Sequence, residues 1–299
     1  MRGRRSSRAD LASRVGYVFA MLGFGWPGGS SRGHWADRHP AAVVEVLVQS
    51  IVASIRRRPI LAFFVMAYVF AWAMFPLILV SQLFGLLALF VPAVAAILTS
   101  AAVGGRAQVR MLLNTITAWR VKLLWYVVAL GLPILLSLAL LMIAVLMGSA
   151  AEFQLAPVSP LALIVFILVI GEELGWRGYA QPNLEMRHSA VTAAMLVGIL
   201  WGFWHLPTFF IPGLPQADVP LAAFILFTTA FSVLSAWLLR RSIRSVLIAT
   251  LFHAAFNTFA FLTPSLSAAE RWWFIAGTYA LTALVVVALL GRDLTGRSA

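Results

Sequence analysis

The sequence predicts an all-α polytopic membrane protein, a bundle of about eight transmembrane helices with both termini in the cytoplasm. Three observations predict it. Hydrophobic residues fill 62 % of the 299 positions and charged residues only 11 %, with a mean hydropathy of +0.94, which excludes an ordinary soluble domain. Apolar runs near the ~20 residues that cross a ~30 Å hydrocarbon core recur along most of the chain. Basic residues alternate between the links that join those runs.

Residues 1–40 mix Arg, Gly and Ser without a sustained period and read as a largely disordered cytoplasmic arm. The apolar patch at 15–26 is too short and too Gly-broken to span, and no small-residue cleavage site stands out after it. Residues 41–55 (AAVVEVLVQSIVASI) place Glu45 and Gln49 four apart and predict a short amphipathic helix on the membrane surface. Residues 1–55 are therefore the arginine-rich arm, and 56–299 a single membrane-embedded domain. Its spans are expected at about 60–80, 84–103, 123–147, 160–179, 190–211, 220–239, 245–262 and 272–290. No internal repeat is visible, which argues against a transporter built from duplicated halves.

Charge sets the expected orientation. Ten of the 22 basic residues precede Pro59, ending in Arg56-Arg57-Arg58 against the first span. The link after span two carries Arg106, Arg110, Arg120 and Lys122, and the link after span six carries Arg240, Arg241 and Arg244. The intervening links hold no charge at Ser81-Gln82, only Glu152 after span three and only Asp218 after span five. Eight spans and two cytoplasmic ends agree in parity. The arginines read as topology determinants that also attract anionic lipid. Nucleic acid is not an expected partner, because no compact soluble domain remains to bind it. Cysteine is absent, which excludes disulfides and thiolate metal sites.

Ionisable residues at membrane depth are costly, and their default reading is functional. Glu172 and Glu173 sit side by side in span four, with Arg177 one turn on. At ~100° per residue, Glu173 and Arg177 share a face and suit an ion pair, which leaves Glu172 freer for chemistry. Span five carries His205 in WGFWHLP (201–207), and span seven carries His253 and Asn257, also four apart on one face. Carboxylates, imidazoles and an amide from three helices can activate water, with a carboxylate as base and His or Asn as oxyanion donors. The same set is close to the His/His/Glu ligands of zinc hydrolases, although no HExxH occurs.

Blander readings compete for each residue. A single His or Asn in a span commonly bonds a neighbouring helix, and one Glu–Arg pair can simply tie two helices together. Trp201, Phe203 and Trp204 read as packing or interfacial residues, and Pro207 as a bend or exit. Against these stands coincidence: every carboxylate and histidine inside the spans lies after residue 170. One tension is depth, since counting places His205 nearer the far end of its span than Glu172 or His253.

These residues resemble the type II CAAX prenyl endopeptidase family, also called the CPBP or Abi intramembrane proteases. The first motif, two glutamates then an arginine, matches Glu172, Glu173 and Arg177 in EELGWR. The second, an aromatic four residues before a histidine, matches Trp201 and His205, with Trp where Phe is common. The third, a histidine four residues before Asn or Asp, matches His253 and Asn257. The stretches FVPAVAAILTS (90–100) and WRVKLLWYVVALGLP (119–133) are similar to the family's second and third helices, so the resemblance covers roughly 60–265.

The resemblance implies an eight-helix endopeptidase whose cavity opens to the cytoplasm or laterally to lipid. It implies Glu172 as general base for water, assisted by His205, with His253 and Asn257 binding the scissile carbonyl oxygen. Glu173 and Arg177 would hold the first motif in shape. A metal-free reaction is favoured; a zinc ion, if used, would fall to Glu172, His205 and His253. High Ala, Arg and Trp with a single Lys point to a GC-rich bacterial genome, hence a multi-pass protein of the bacterial plasma membrane acting on a peptide or membrane-protein substrate. A non-catalytic immunity or scaffold protein, or an ion-coupled transporter, would carry the same polar cluster for other ends. Substrate and oligomeric state are not legible.

Overall fold

A computed structural model describes residues 40–81, 83–146, 161–259 and 266–296, and among them all regular structure is helical. The arm at 1–39 and the link bearing Glu152 lie outside the described residues. The chain divides into two compact units, one ending at Pro59 and one beginning at Ile60. In the first, α1 (Pro40–Arg57) extends the expected 41–55 helix at both ends, with Gln49 donating to Glu45 across one turn at 3.0 Å. Val44, Val48 and Ile51 are exposed along one face.

The second unit holds α2 (Pro59–Met74) from its second residue on, a 3₁₀ turn (Phe75–Leu79), α3 (Leu83–Ala88), α4 (Val91–Asn114) and α5 (Leu123–Leu146). Next come α6 (Leu161–Glu173), a π-helical stretch (Leu174–Ala180) and α7 (Gln181–Glu185). The remainder is α8 (Ala190–Trp204), a 3₁₀ turn (Leu206–Phe210), α9 (Leu221–Arg241), α10 (Val246–Phe259) and α11 (Ala268–Leu290). Six described stretches are long and apolar enough to cross a membrane: Pro59–Leu79, Leu83–Asn114, Leu123–Leu146, Ala190–Phe210, Leu221–Arg241 and Ala268–Leu290. The other two expected spans correspond to α6 and α10, which as described are only 13 and 14 residues long. These two shorter helices carry the glutamates and the His253/Asn257 pair.

Exposure marks the apolar faces that the bundle itself leaves uncovered. Leu61, Val65 and Val69 on α2, Leu124, Val127 and Leu135 on α5, and Leu281, Leu284 and Leu289 on α11 are all uncovered. In water such a surface would far exceed the patch a monomer tolerates; in a bilayer it is the solvated face. The chain is a multi-pass helical membrane protein. Among the six long apolar stretches α9 is the most enclosed, packing α8 on one side and α11 on another, while α10 packs against α5 and α6.

Two glycine pairs bring the site-bearing helices close. A Cβ on Gly171 would lie 2.7 Å from the Leu89 carbonyl oxygen, and Gly175 abuts Pro92 just as tightly. A Cβ on Gly198 would lie 2.6 Å from the Thr228 carbonyl oxygen, and one on Gly202 2.6 Å from the Thr228 hydroxyl. Each pair is spaced four apart, the small-xxx-small pattern by which membrane helices approach backbone to backbone.

Three details differ from the sequence expectation. Arg106 and Arg110 are not in a loop, because α4 turns at Gly104-Gly105 (Gly105 φ 61°) and runs on to Asn114. Span four is not one α-helix, since Gln181 N–H bonds Trp176 O five residues back. The last helix starts at Ala268 rather than 272, set by a capping box in which Ser267 and Glu270 bond each other's backbone N–H.

Candidate active site

Glu172, Glu173, Arg177, His205 and His253 are respectively 5, 0, 1, 8 and 4 % exposed. At that burial each charge needs a partner. Glu173 is the junction of one network. Its Oε2 lies 3.3 Å from Arg177 Nε, the pair expected from the i, i+4 spacing. Its Oε1 lies 2.9 Å from His253 Nδ1, joining α6 to α10. Nη1 and Nη2 of Arg177 find no acceptor among the described residues, so the guanidinium leans on Glu173 and on the face of Trp201, 4.9 Å away.

Glu172 belongs to a second network. The indole N–H of Trp201 on α8 donates to its Oε2 at 2.7 Å. Trp201 therefore does more than pack. The signal was present in the sequence: an indole has one donor and a buried one seeks an acceptor.

His205 forms the C-terminal cap of α8, and its Nδ1 lies 3.0 Å from the Trp201 carbonyl oxygen. A carbonyl only accepts, so Nδ1 carries the proton and Nε2 is the nitrogen left for a reactant. The same logic applies to His253, whose Nδ1 faces Glu173.

The question of depth is answered by Trp201. Its ring lies 5.7 Å from the His205 ring and 5.2 Å from the His253 ring, both edge to face, so the two imidazoles flank one indole. His205 follows α8 directly as its C-terminal cap, before the 3₁₀ turn. Asn257 sits half-buried one turn along α10 from His253 and hydrogen-bonds none of the other site residues among those described.

Among the described residues, no three His, Cys, Asp or Glu side chains stand close enough to hold a metal ion. Beside the site, a cavity of about 310 Å³ is lined by Arg177, Tyr179, Asn183, Ser100, Gln108 and Arg244, among others. Glu185 on α7 accepts from Arg240 at the end of α9 at 2.8 Å and from Arg244 just beyond it at 2.7 Å.

Fold and site together define a helical membrane protein with a buried carboxylate–imidazole cluster drawn from three helices. Residues 154–259, which include all three motifs, match the family model described as type II CAAX prenyl endopeptidase, Rce1-like. The chain is also similar to CAAX prenyl protease 2 of Methanococcus maripaludis, 28 % identical over 144 residues. That alignment takes in 44 % of this chain and 53 % of the relative, so the chain spans about half the length of the curated relative it matches. The resemblance read from the motifs is thereby shown for the segment that carries the site.

Proposed function

We propose that the chain is an intramembrane endopeptidase that hydrolyses a peptide bond with water activated by Glu172. The observation that carries the proposal is the buried Glu172 carboxylate, held by one oxygen within a cluster that contains both imidazoles. Similarity to a protease family supports the same reading.

In the proposed reaction the carboxylate takes a proton from water, assisted by His205, and the hydroxide adds to the scissile carbonyl carbon. The oxyanion accepts hydrogen bonds from the Asn257 amide and from His253, whose ring Glu173 orients by accepting from Nδ1. The proton held by Glu172 passes to the departing nitrogen as the C–N bond breaks, leaving a carboxylate and an amine. Arg177 keeps Glu173 in place throughout. No step requires a metal, and the mechanism is proposed as metal-free.

The proposed setting is the bacterial plasma membrane, with eight spans and both termini on the cytoplasmic side. The cavity reaching Arg177 from the arginine-rich end of α9 supports access from that side. The substrate class is a peptide or membrane protein.

The test is cleavage of a peptide library by the protein in liposomes, wild type against Glu172→Gln. Loss of general-base catalysis is expected to slow cleavage by about 10²–10⁴-fold. Equal cleavage by the two proteins would remove Glu172 from its role.

A further inference from the structure

We infer that Trp201 is a positioning residue that fixes which oxygen of Glu172 does the chemistry. Its indole N–H occupies Oε2 and leaves Oε1 as the oxygen that takes the proton from water. The catalytic half of this statement rests on the endopeptidase reading above; the positioning half rests on geometry alone.

The bond is short, buried and directed at a carboxylate, the charge-assisted kind that orients as well as stabilises. It spans 29 residues of sequence, so it ties α8 to α6 at the reacting group itself. The ring cannot swing away from it. Arg177 lies 4.9 Å over the indole, Phe231 packs 5.6 Å from it, and the imidazoles of His205 and His253 flank it. In a close-packed interior such a ring turns only if its neighbours move. The main chain of the same residue also acts, since its carbonyl oxygen sets the proton of His205 on Nδ1.

The placement is inherited from the helix contact below it. Gly198 and Gly202 lie three residues before and one after Trp201, and both press α8 onto α9 at Thr228. One side chain thus touches Glu172, Arg177, His205 and His253, and its neighbours on the chain fix how far it reaches. A phenyl ring would fill much of the same space and leave Oε2 unbonded inside the protein. The carboxylate would then be free to turn, and reactivity would suffer rather than substrate binding.

Trp201→Phe tests this by removing the N–H while keeping an aromatic ring. The expected result is a kcat lower by about 10–100-fold with KM unchanged within about twofold, the signature of a displaced reacting group. A second readout needs no substrate: thermal unfolding of wild type, Trp201→Phe, Glu172→Leu and the double variant. If each single change loses the same bond, the double variant melts no lower than the weaker single; unconnected roles would add.

A wild-type kcat in Trp201→Phe, or additive melting shifts, overturns the inference. Absence of cleavage by the wild type strikes the endopeptidase reading instead, and the melting cycle still decides whether Trp201 holds Glu172. Should Trp201→Phe fail to fold, 3-benzothienylalanine at position 201 keeps the bicyclic shape without the N–H and carries the same expectations.

Discussion

Glu173 holds both Arg177 and His253 with one carboxylate, and its loss should be felt in stability before chemistry. Removing one member of a buried pair leaves the other charge unpaired, at a cost of about 3–5 kcal/mol. Glu173→Gln is therefore expected to lower the unfolding temperature in detergent much more than Glu172→Gln, whose amide oxygen still accepts from Trp201. Equal melting of the two variants would contradict the network centred on Glu173. The Glu173–Arg177 pair was legible because helical spacing alone brings those residues together. The bonds from Glu173 to His253 and from Glu172 to Trp201 were not, because they join residues 80 and 29 positions apart. Their pairing follows from which helices pack, and one sequence does not specify that.

At the level of the helices, packing is set where side chains are missing. Gly175→Ala and Gly198→Ala each place a methyl group inside a backbone contact, against Pro92 and Thr228/Thr229 respectively. Overpacking of this kind costs about 1–3 kcal/mol. Both variants should melt lower and lose activity, although neither touches the polar groups; a wild-type melting curve for either would refute the close contact. GEELG and GILWG carry the small-xxx-small signature openly, and it is a signal the span-by-span reading passed over. The π-helical stretch left no comparable trace, since apolar residues mixed with glycine read the same in either helical form. The early start of α11 was readable from the capping pattern at Ser267 and Glu270.

For the molecule as a whole, composition was enough to place it in a membrane, because 62 % hydrophobic residues cannot all be hidden within one domain of this size. Orientation rests on the alternation of basic links and can be tested directly. The chain has no cysteine, so single introduced cysteines report sidedness against a silent background. Ser81→Cys and Asp218→Cys are expected to react with a membrane-impermeant maleimide on intact cells, and Arg120→Cys and Ile243→Cys only after lysis. All four positions are exposed, so reactivity reports location rather than burial. The opposite labelling pattern would reverse the proposed topology.

The π-helical stretch at Leu174–Ala180 has a consequence for how this helix tolerates change. It holds in effect one residue more than a regular helix would need. Excising Gly178 would let the backbone relax to ordinary pitch with little rotation downstream, because the π-helical stretch has already absorbed the extra residue. Glu172 and Glu173 would keep their stations, and Glu185 would stay in register with Arg240 and Arg244. A single-codon deletion here is therefore expected to be tolerated, whereas the same deletion in a regular helix would turn its two ends apart by roughly 100°.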